Sequence, residues 1–405
     1  VYVKCQDEAN LLDKFLKLWK ENLPDIITGW YIKFFDIPYL INRMNKVLGE
    51  SRTSSLSPWK ILKPREFEVL SKVHSTYEIL GISVLDYLDL YQKFTYVNQE
   101  SYKLDHIAKV ELGLQKVDYS EYGSLHLLYK MDWAKFIRYN AQDINIVIAL
   151  EEKLKLIELA VTMAYDAKVN FDDVFSQVRM WDVICYNHLL KKKIVIPSKK
   201  ETSKSSIEGA YVKDPHVGFH GWVVSFDLTS LYPMLIQQYN ISPECLLDFN
   251  EPLDLNHLIN KQRDLSYAKN QGAALTANGY AFDKDKKGFF PELMEWMFAQ
   301  RKEYKKLQLK AEKELEAKKK QLTKKEIKEY TNNISKYKNL QMAKKIALNS
   351  AYGAMGNRYF RYYDPILAEA VTKSGQLSIR WIERKLNEYF NKLLQTDKDY
   401  IIAVD

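Results

Sequence analysis

The sequence predicts a multidomain protein of mixed α/β and α+β character, on three observations. The chain has 405 residues, more than one compact core usually holds, so two to four domains are expected. Twice in its first hundred residues a short apolar run leads into a helical pattern, at 25–30 then 34–43 and within 82–91. From 289 to about 357 the pattern is helical and heavily charged, and it lies between two candidate strands at 222–227 and 400–404.

Taken in order, 11–18 has helical periodicity, and 25–30 (Asp-Ile-Ile-Thr-Gly-Trp) reads as a strand. Residues 34–43 turn into a helix opened by Asp36, and 133–154 is an amphipathic helix. Asp86 and Asp89 read as structural. A helix is expected at 174–190. The Lys/Ser-rich run 199–206 is the best linker candidate. The apolar run Trp222, Val223, Val224, Phe226 reads as a buried strand ending on Asp227, followed by a turn and a short helix at 234–240. Residues 240–287 read as loop-rich. The segment 306–329 is nearly free of large apolar residues and reads as a solvated hairpin tip. The basic-aromatic 358–364 reads as strand-like, 367–394 as a long helix and 400–404 as the last strand.

Net charge is +8, and 301–345 alone carries +10, which leaves −2 for the rest. That concentration points to an anionic partner or to a solvated helix face. Cys5, Cys185 and Cys245 are odd in number and far apart, which fits a reducing cytoplasm and neither a disulfide framework nor a zinc site. His216 and His220 read as loop histidines. No stretch reaches the roughly 18 apolar residues of a membrane span. Both ends read as cut, so an internal fragment of a longer protein is expected.

A strand that delivers Asp227 to a tight turn can hold a hard cation beside backbone N–H groups that bind anionic oxygens. Arg301 and Lys305 lie one helical turn apart, as do Lys345 and Asn349. If those two helices pair antiparallel, the cations can face one point, and a triphosphate is the anion that would join them. Tyr139 and Asp143 share a helix face.

DLTSLYP at 227–233, Lys345-x-x-x-Asn349-Ser350-x-Tyr352-Gly353 and the terminal YIIAVD at 400–405 occur in one order. Together they resemble the polymerase motifs of family B DNA polymerases, in the form found in T-even-like tailed phages. Tyr139-x-x-x-Asp143 is similar to the third exonuclease motif of that family, and Thr28 to Asp36 to the second. Tyr31 stands where the family usually has Asn, and the first exonuclease motif is absent.

The resemblance implies an RNase H-like 3′→5′ exonuclease domain followed by a right-hand polymerase palm with a helical fingers insertion. The expected boundaries are 1–155 for the exonuclease, 156–206 for a connecting segment, 207–287 for the first palm part, 288–357 for the fingers and 358–405 for the second palm part, without a thumb. It implies Asp227, the Leu228 carbonyl and Asp405 as ligands of two Mg²⁺ ions, with Mn²⁺ able to substitute; Asp405 matches the first Asp of the third polymerase motif, and the second, the other principal ligand beside Asp227, is expected just beyond this chain. It implies Asp36 and Asp143 as exonuclease ligands with Tyr139 orienting water. Ser230, Leu231 and Tyr232 would cradle phosphates beside Arg301, Lys305, Lys345 and Asn349. Tyr352, Gly353 and Gly209 would contact DNA. Primer-template DNA, dNTPs, a sliding clamp and other replisome proteins are the implied partners, in the cytoplasm and with no membrane. Two other readings stay open from the sequence. One is an exonuclease with a degenerate polymerase half, and the other a non-enzymatic nucleic-acid-binding protein that uses the Lys-rich hairpin.

Overall fold

The computed structural model describes residues 3–69, 72–95, 97–199, 206–266 and 272–404. The chain divides into two compact units, Val1–Tyr165 with Asn170–Phe175, and Asp166–Val169 with Ser176–Asp405. The expected linker lies mostly outside the described residues, at 200–205, and so does Asp405.

In the first unit, α1 (Glu8–Glu21) starts where the Asp7 carboxylate accepts the Asn10 N–H, and it buries Leu12 and Leu16. Strand β1 (Ile26–Gly29) pairs in parallel with β4 (Ser83–Asp86), Ile26 opposite Ser83 and Gly29 opposite Asp86. Between them run α2 (Asp36–Leu48), the short α3 (Glu50–Thr53) and an antiparallel hairpin of β2 (Leu62–Val69) and β3 (Lys72–Ile79). Ile37, Ile41 and Met44 of α2 join Leu12, Leu16, Leu56, Ile79 and Ile82 in one core. After β4 come α4 (Tyr87–Phe94), α5 (Leu104–Leu112), α6 (Leu125–Met131) and α7 (Trp133–Leu154), then α8 (Leu156–Ala167).

Asp86 organises this unit, as a structural residue. Its buried carboxylate accepts the N–H groups of Leu88, Tyr31 and Lys33, at 3.0, 2.9 and 3.0 Å. It therefore caps α4 and pins the 30–35 loop that leads to Asp36. Burial still pushes its pKa above the usual range, despite those three donors.

In the second unit, α9 (Gln177–Lys191) packs on the long helix 324–355 through Trp181, whose Nε1 donates to the Ala347 carbonyl and to Ser350 Oγ. Helix α10 (Leu231–Gln238) is capped by Tyr239 and followed by Asn240, a left-handed residue. The Asn240 amide donates to the carbonyls of Asp283 and Lys286, and its oxygen accepts the Gly288 N–H, which fixes the start of α12 (Phe289–Lys318) relative to α10. Helix α13 (Lys324–Met355) returns along α12, and α14 (Pro365–Leu394) follows.

Four expectations about this unit are corrected. Residues 222–226 form no strand, and Trp222 is 99 % exposed. A strand needs a neighbour to take its N–H and C=O groups, and among the described residues no ladder lies beside this run. Residues 400–404 likewise form a single bridge, Val404 with Lys213, rather than a ladder. Residues 358–364 are turns, because Phe360 and Tyr362 fold back onto Phe289 and Phe290 in one aromatic cluster.

The segment read as loop-rich contains β5 (Leu246–Asn250), α11 (Leu255–Ile259), β6 (Ala273–Leu275) and β7 (Tyr280–Asp283), with sheet order β5-β7-β6. The hairpin signal was Asn278-Gly279. Gly279 has φ +88, and a Cβ there would lie 1.9 Å from the Glu251 carbonyl oxygen. Cys5, Cys185 and Cys245 are free, as expected, and His220 bonds the His216 carbonyl within its loop.

Candidate active sites

The first unit brings Tyr139 and Asp143 together around a lysine that the sequence reading missed. Asp132 accepts the Lys135 N–H and starts α7, on which Tyr139 and Asp143 follow one turn apart. Lys116 Nζ lies 2.7 Å from Asp143 Oδ2, 3.4 Å from the Tyr139 hydroxyl and 5.4 Å from the Tyr139 ring centroid. The Lys116 N–H donates to Asp105, which holds the segment after α5 in place. Burial alone would lower the Lys116 pKa, but the bond and charge of Asp143 outweigh it and the pKa is raised. Burial raises the Tyr139 hydroxyl as well, and Tyr119 meets its ring edge-on at 5.3 Å. No motif marks Lys116; only its presence in a short polar connection before α7 could have suggested it.

Asp36 is the first residue of α2 and makes no hydrogen bond or ion pair to Tyr139 or Asp143. Desolvation raises its carboxyl above the usual range. The other oxygen of Asp143, Oδ1, is buried and accepts no hydrogen bond, a lone-pair donor suited to a hard cation. Among the described residues, no three His, Cys, Asp or Glu side chains form a metal-binding cluster.

The second unit joins two of the recognised motifs. Asp227 and Leu228 are exposed, and Ser230 takes the left-handed conformation (φ 52, ψ 48) that starts α10. The N–H groups of Leu231 and Tyr232 belong to the first turn, where no intrahelical partner exists, and Pro233 has none. The Tyr232 ring meets the Tyr352 ring at 4.8 Å. Burial raises both hydroxyls.

Helices α12 and α13 pair in the antiparallel sense that the convergence of Arg301, Lys305, Lys345 and Asn349 requires. Lys305 and Asn349 are exposed, while Arg301 and Lys345 are half-buried. The Arg301 Nε is buried without an acceptor. One residue before Lys345, Lys344 is 1 % exposed, 2.7 Å from Asp166 and 4.1 Å from the Trp296 ring centroid. Burial lowers its pKa. The sequence reading missed this pair; successive helical residues point 100° apart, so one lysine faces in and its neighbour out.

Gly353 is exposed next to Gln177, and the Gly209 carbonyl accepts the Gln376 amide at 2.6 Å. No helix among the described residues is long and apolar enough to cross a membrane.

With these motifs in place, the chain belongs to DNA polymerase family B. The model described as "DNA polymerase family B" matches 175–403, and the one described as "DNA polymerase family B, exonuclease domain" matches 1–107. Asp36 lies within the second match, whereas Tyr139 and Asp143 lie beyond it. The chain is 34 % identical to the DNA-directed DNA polymerase of Escherichia phage RB69, covering 99 % of this chain and 48 % of that protein. It is 34 % identical to that of Enterobacteria phage T4, with 100 % and 48 % covered. A DNA polymerase of Archaeoglobus fulgidus is 26 % identical over 98 % of this chain and 45 % of its own length. The chain spans about half the length of these relatives.

Proposed function

We propose that this chain is part of an enzyme that performs template-directed DNA synthesis, joining a dNTP to a primer 3′-OH, with a linked 3′→5′ proofreading exonuclease. The observation that carries the reading is the contact of Tyr232 with Tyr352, which joins DLTSLYP to KxxxNSxYG within the family match. The proposed architecture is an RNase H-like exonuclease (1–155), a connecting segment (156–206), a palm in two parts (207–287 and 358–405) and helical fingers (288–357).

Two Mg²⁺ ions in each site, replaceable by Mn²⁺, would stabilise charge on the attacking and leaving oxygens. Asp227, the Leu228 carbonyl and Asp405 would hold them in one site, and Asp36 and Asp143 in the other. The unpaired Asp143 Oδ1 supports that assignment. The turn after Ser230 offers its free N–H groups to phosphate oxygens, and Arg301, Lys305 and Lys345 neutralise the triphosphate beside Asn349. The unsatisfied Arg301 Nε supports a missing acceptor there. Gly209, Tyr352 and Gly353 border the primer-template. Tyr139 positions the water that attacks the terminal phosphodiester. A sliding clamp and other replisome proteins are the proposed further partners, in the cytoplasm.

The test is a double dissociation in the full-length protein. Asp227→Ala abolishes primer extension and spares digestion of single-stranded DNA, and Asp143→Ala does the reverse. Arg301→Ala and Lys345→Ala weaken dNTP use more than DNA binding, by about 1.5–3 kcal/mol each, roughly tenfold to 150-fold. If Asp227→Ala leaves extension intact, the reading is wrong.

A further inference from the structure

The end of the α12–α13 hairpin concentrates lysines that form no ion pair among the described residues. Lys318, Lys319, Lys320, Lys324, Lys325 and Lys328 are all exposed, and among the described residues none of the six has an acidic side chain at ion-pair distance. The turn that displays them is built rather than slack. Thr323 and Glu326 form a capping box in which each side chain takes the other's N–H, at 2.8 and 3.3 Å. Leu322 and Ile327, both half-buried, have the spacing of a hydrophobic staple around that cap. Gln321 N–H closes the end of α12 on the Lys318 carbonyl at 2.8 Å. Six exposed lysines on a fixed turn set up a local positive potential that favours an anionic partner.

The anion is not the triphosphate. Along α12, Lys318 is thirteen residues beyond Lys305, about 20 Å at helical rise, and along α13 Lys325 precedes Lys345 by about 30 Å. Nor does the tip resemble a protein-binding patch, because such patches are depleted in Lys and anchored by aromatic residues or Arg. Residues 316–329 contain no aromatic residue and no Arg. That same lack of rings argues against a stacked single strand.

We propose that the hairpin tip is a second DNA-contact surface that grips the phosphate backbone of duplex DNA without reading its sequence. It rests on the DNA-polymerase reading only for the identity of the anion.

The test is a salt titration of binding of the 405-residue chain to a short fluorescent duplex, without dNTP or metal ion, for the wild type and the Lys319→Gln/Lys320→Gln/Lys324→Gln/Lys325→Gln variant. Each lost phosphate contact removes about 0.9 from the slope of log affinity against log salt. The slope of the variant is therefore expected to be smaller by about 3 to 4, with affinity at 0.1 M salt at least about tenfold weaker. The matching Lys→Arg variant keeps the wild-type slope, which separates charge loss from damage to the hairpin, and circular dichroism checks that both variants keep their helix content. An unchanged slope in the Gln variant overturns the proposal, as does a wild type that binds no duplex or an Arg variant that loses the slope as well. A variant that loses poly-glutamate binding and keeps duplex binding shows an acidic protein partner instead. Without dNTP or metal ion in the assay, these outcomes are independent of whether Asp227→Ala stops synthesis.

Discussion

The Tyr232 ring is wedged between Tyr352 and Gly375. Its centroid lies 4.8 Å from that of Tyr352 at 58°, and a Cβ on Gly375 would sit 3.0 Å from Tyr232 Cε1. Helices α13 and α14 thus fix a flat ring in the turn that follows Asp227.

If, as the proposed function implies, the sugar of an incoming nucleotide stacks against that ring, a ribose 2′-hydroxyl has no room there. A ribonucleotide must displace the ring or shift off its reacting position, and about 1 Å of misplacement can cost on the order of 100-fold in rate. In the full-length protein, Tyr232→Ala is expected to raise rNTP relative to dNTP incorporation by at least about tenfold, about 1.4 kcal/mol of discrimination. Single-nucleotide extension with rCTP and dCTP opposite template G measures the ratio. A ring that only packs the turn would lower both rates and leave the ratio unchanged.

Lys116 holds Asp143 by an ion pair and the Tyr139 hydroxyl by a hydrogen bond. Lys116→Met removes both contacts and leaves a half-buried carboxylate without its countercharge. Loss of a group that orients a ligand typically costs about 10- to 100-fold. Exonuclease activity on single-stranded DNA should fall in that range while primer extension is unchanged. Equal loss of both would mean that the variant has damaged the fold.

Helices were more legible than strands because an amphipathic period is written locally. The 133–154 helix coincides with α7 and the 367–394 helix with α14, whereas most of 306–329, read as a hairpin tip, belongs to α12 and α13, which reach to Lys318 and start at Lys324. A strand depends on partners elsewhere in the chain. Strands β1 and β4 were readable one at a time because each precedes a helical pattern, but their parallel pairing was not, and 222–226 has the composition of a strand and no ladder beside it among the described residues. Motif residues were found by spacing. Lys116, Lys344 and Asp86 have no spacing to betray them, because each is defined by what the fold brings up to it.

Lys213 links its own segment to the C-terminal end of the second unit. Its Nζ lies 2.6 Å from Glu383 and 2.5 Å from Asp399, and its N–H donates to the Val404 carbonyl. Burial alone would raise the Asp399 carboxyl, but Lys213, the Asn387 amide and the Ile401 N–H bring it down to about 2. A carboxyl lowered in the folded state contributes stability that is complete above its unfolded value, near 4, and is lost as pH falls toward 2. Protection of the 399–404 amides, measured against their intrinsic exchange rates, should therefore fall between pH 4 and 2 in the wild type. In Lys213→Met it should be low already at pH 7. Identical protection in both proteins at pH 7 would remove Lys213 from this role.

Tyr31, standing where the resemblance leads one to expect Asn, has a backbone cost that the structure explains. It has φ +65, the left-handed region, and its N–H donates to Asp86 at 2.9 Å, so the loop cannot relax without giving up that bond. A residue with a bulky side chain costs roughly 1–2 kcal/mol in that conformation, and Asn less, because its short amide bonds locally. The Tyr31 ring offsets little of this cost; it is 41 % exposed and touches Phe34 at 6.0 Å between centroids. Tyr31→Asn is therefore expected to stabilise the first unit by about 0.5–1 kcal/mol. Tyr31→Ala, which keeps the left-handed strain and loses the ring, should not stabilise it. Urea melts followed by proteolysis of the first unit, for wild type and both variants, give the order. If Ala stabilises as much as Asn, the ring and not the backbone is the source of the strain.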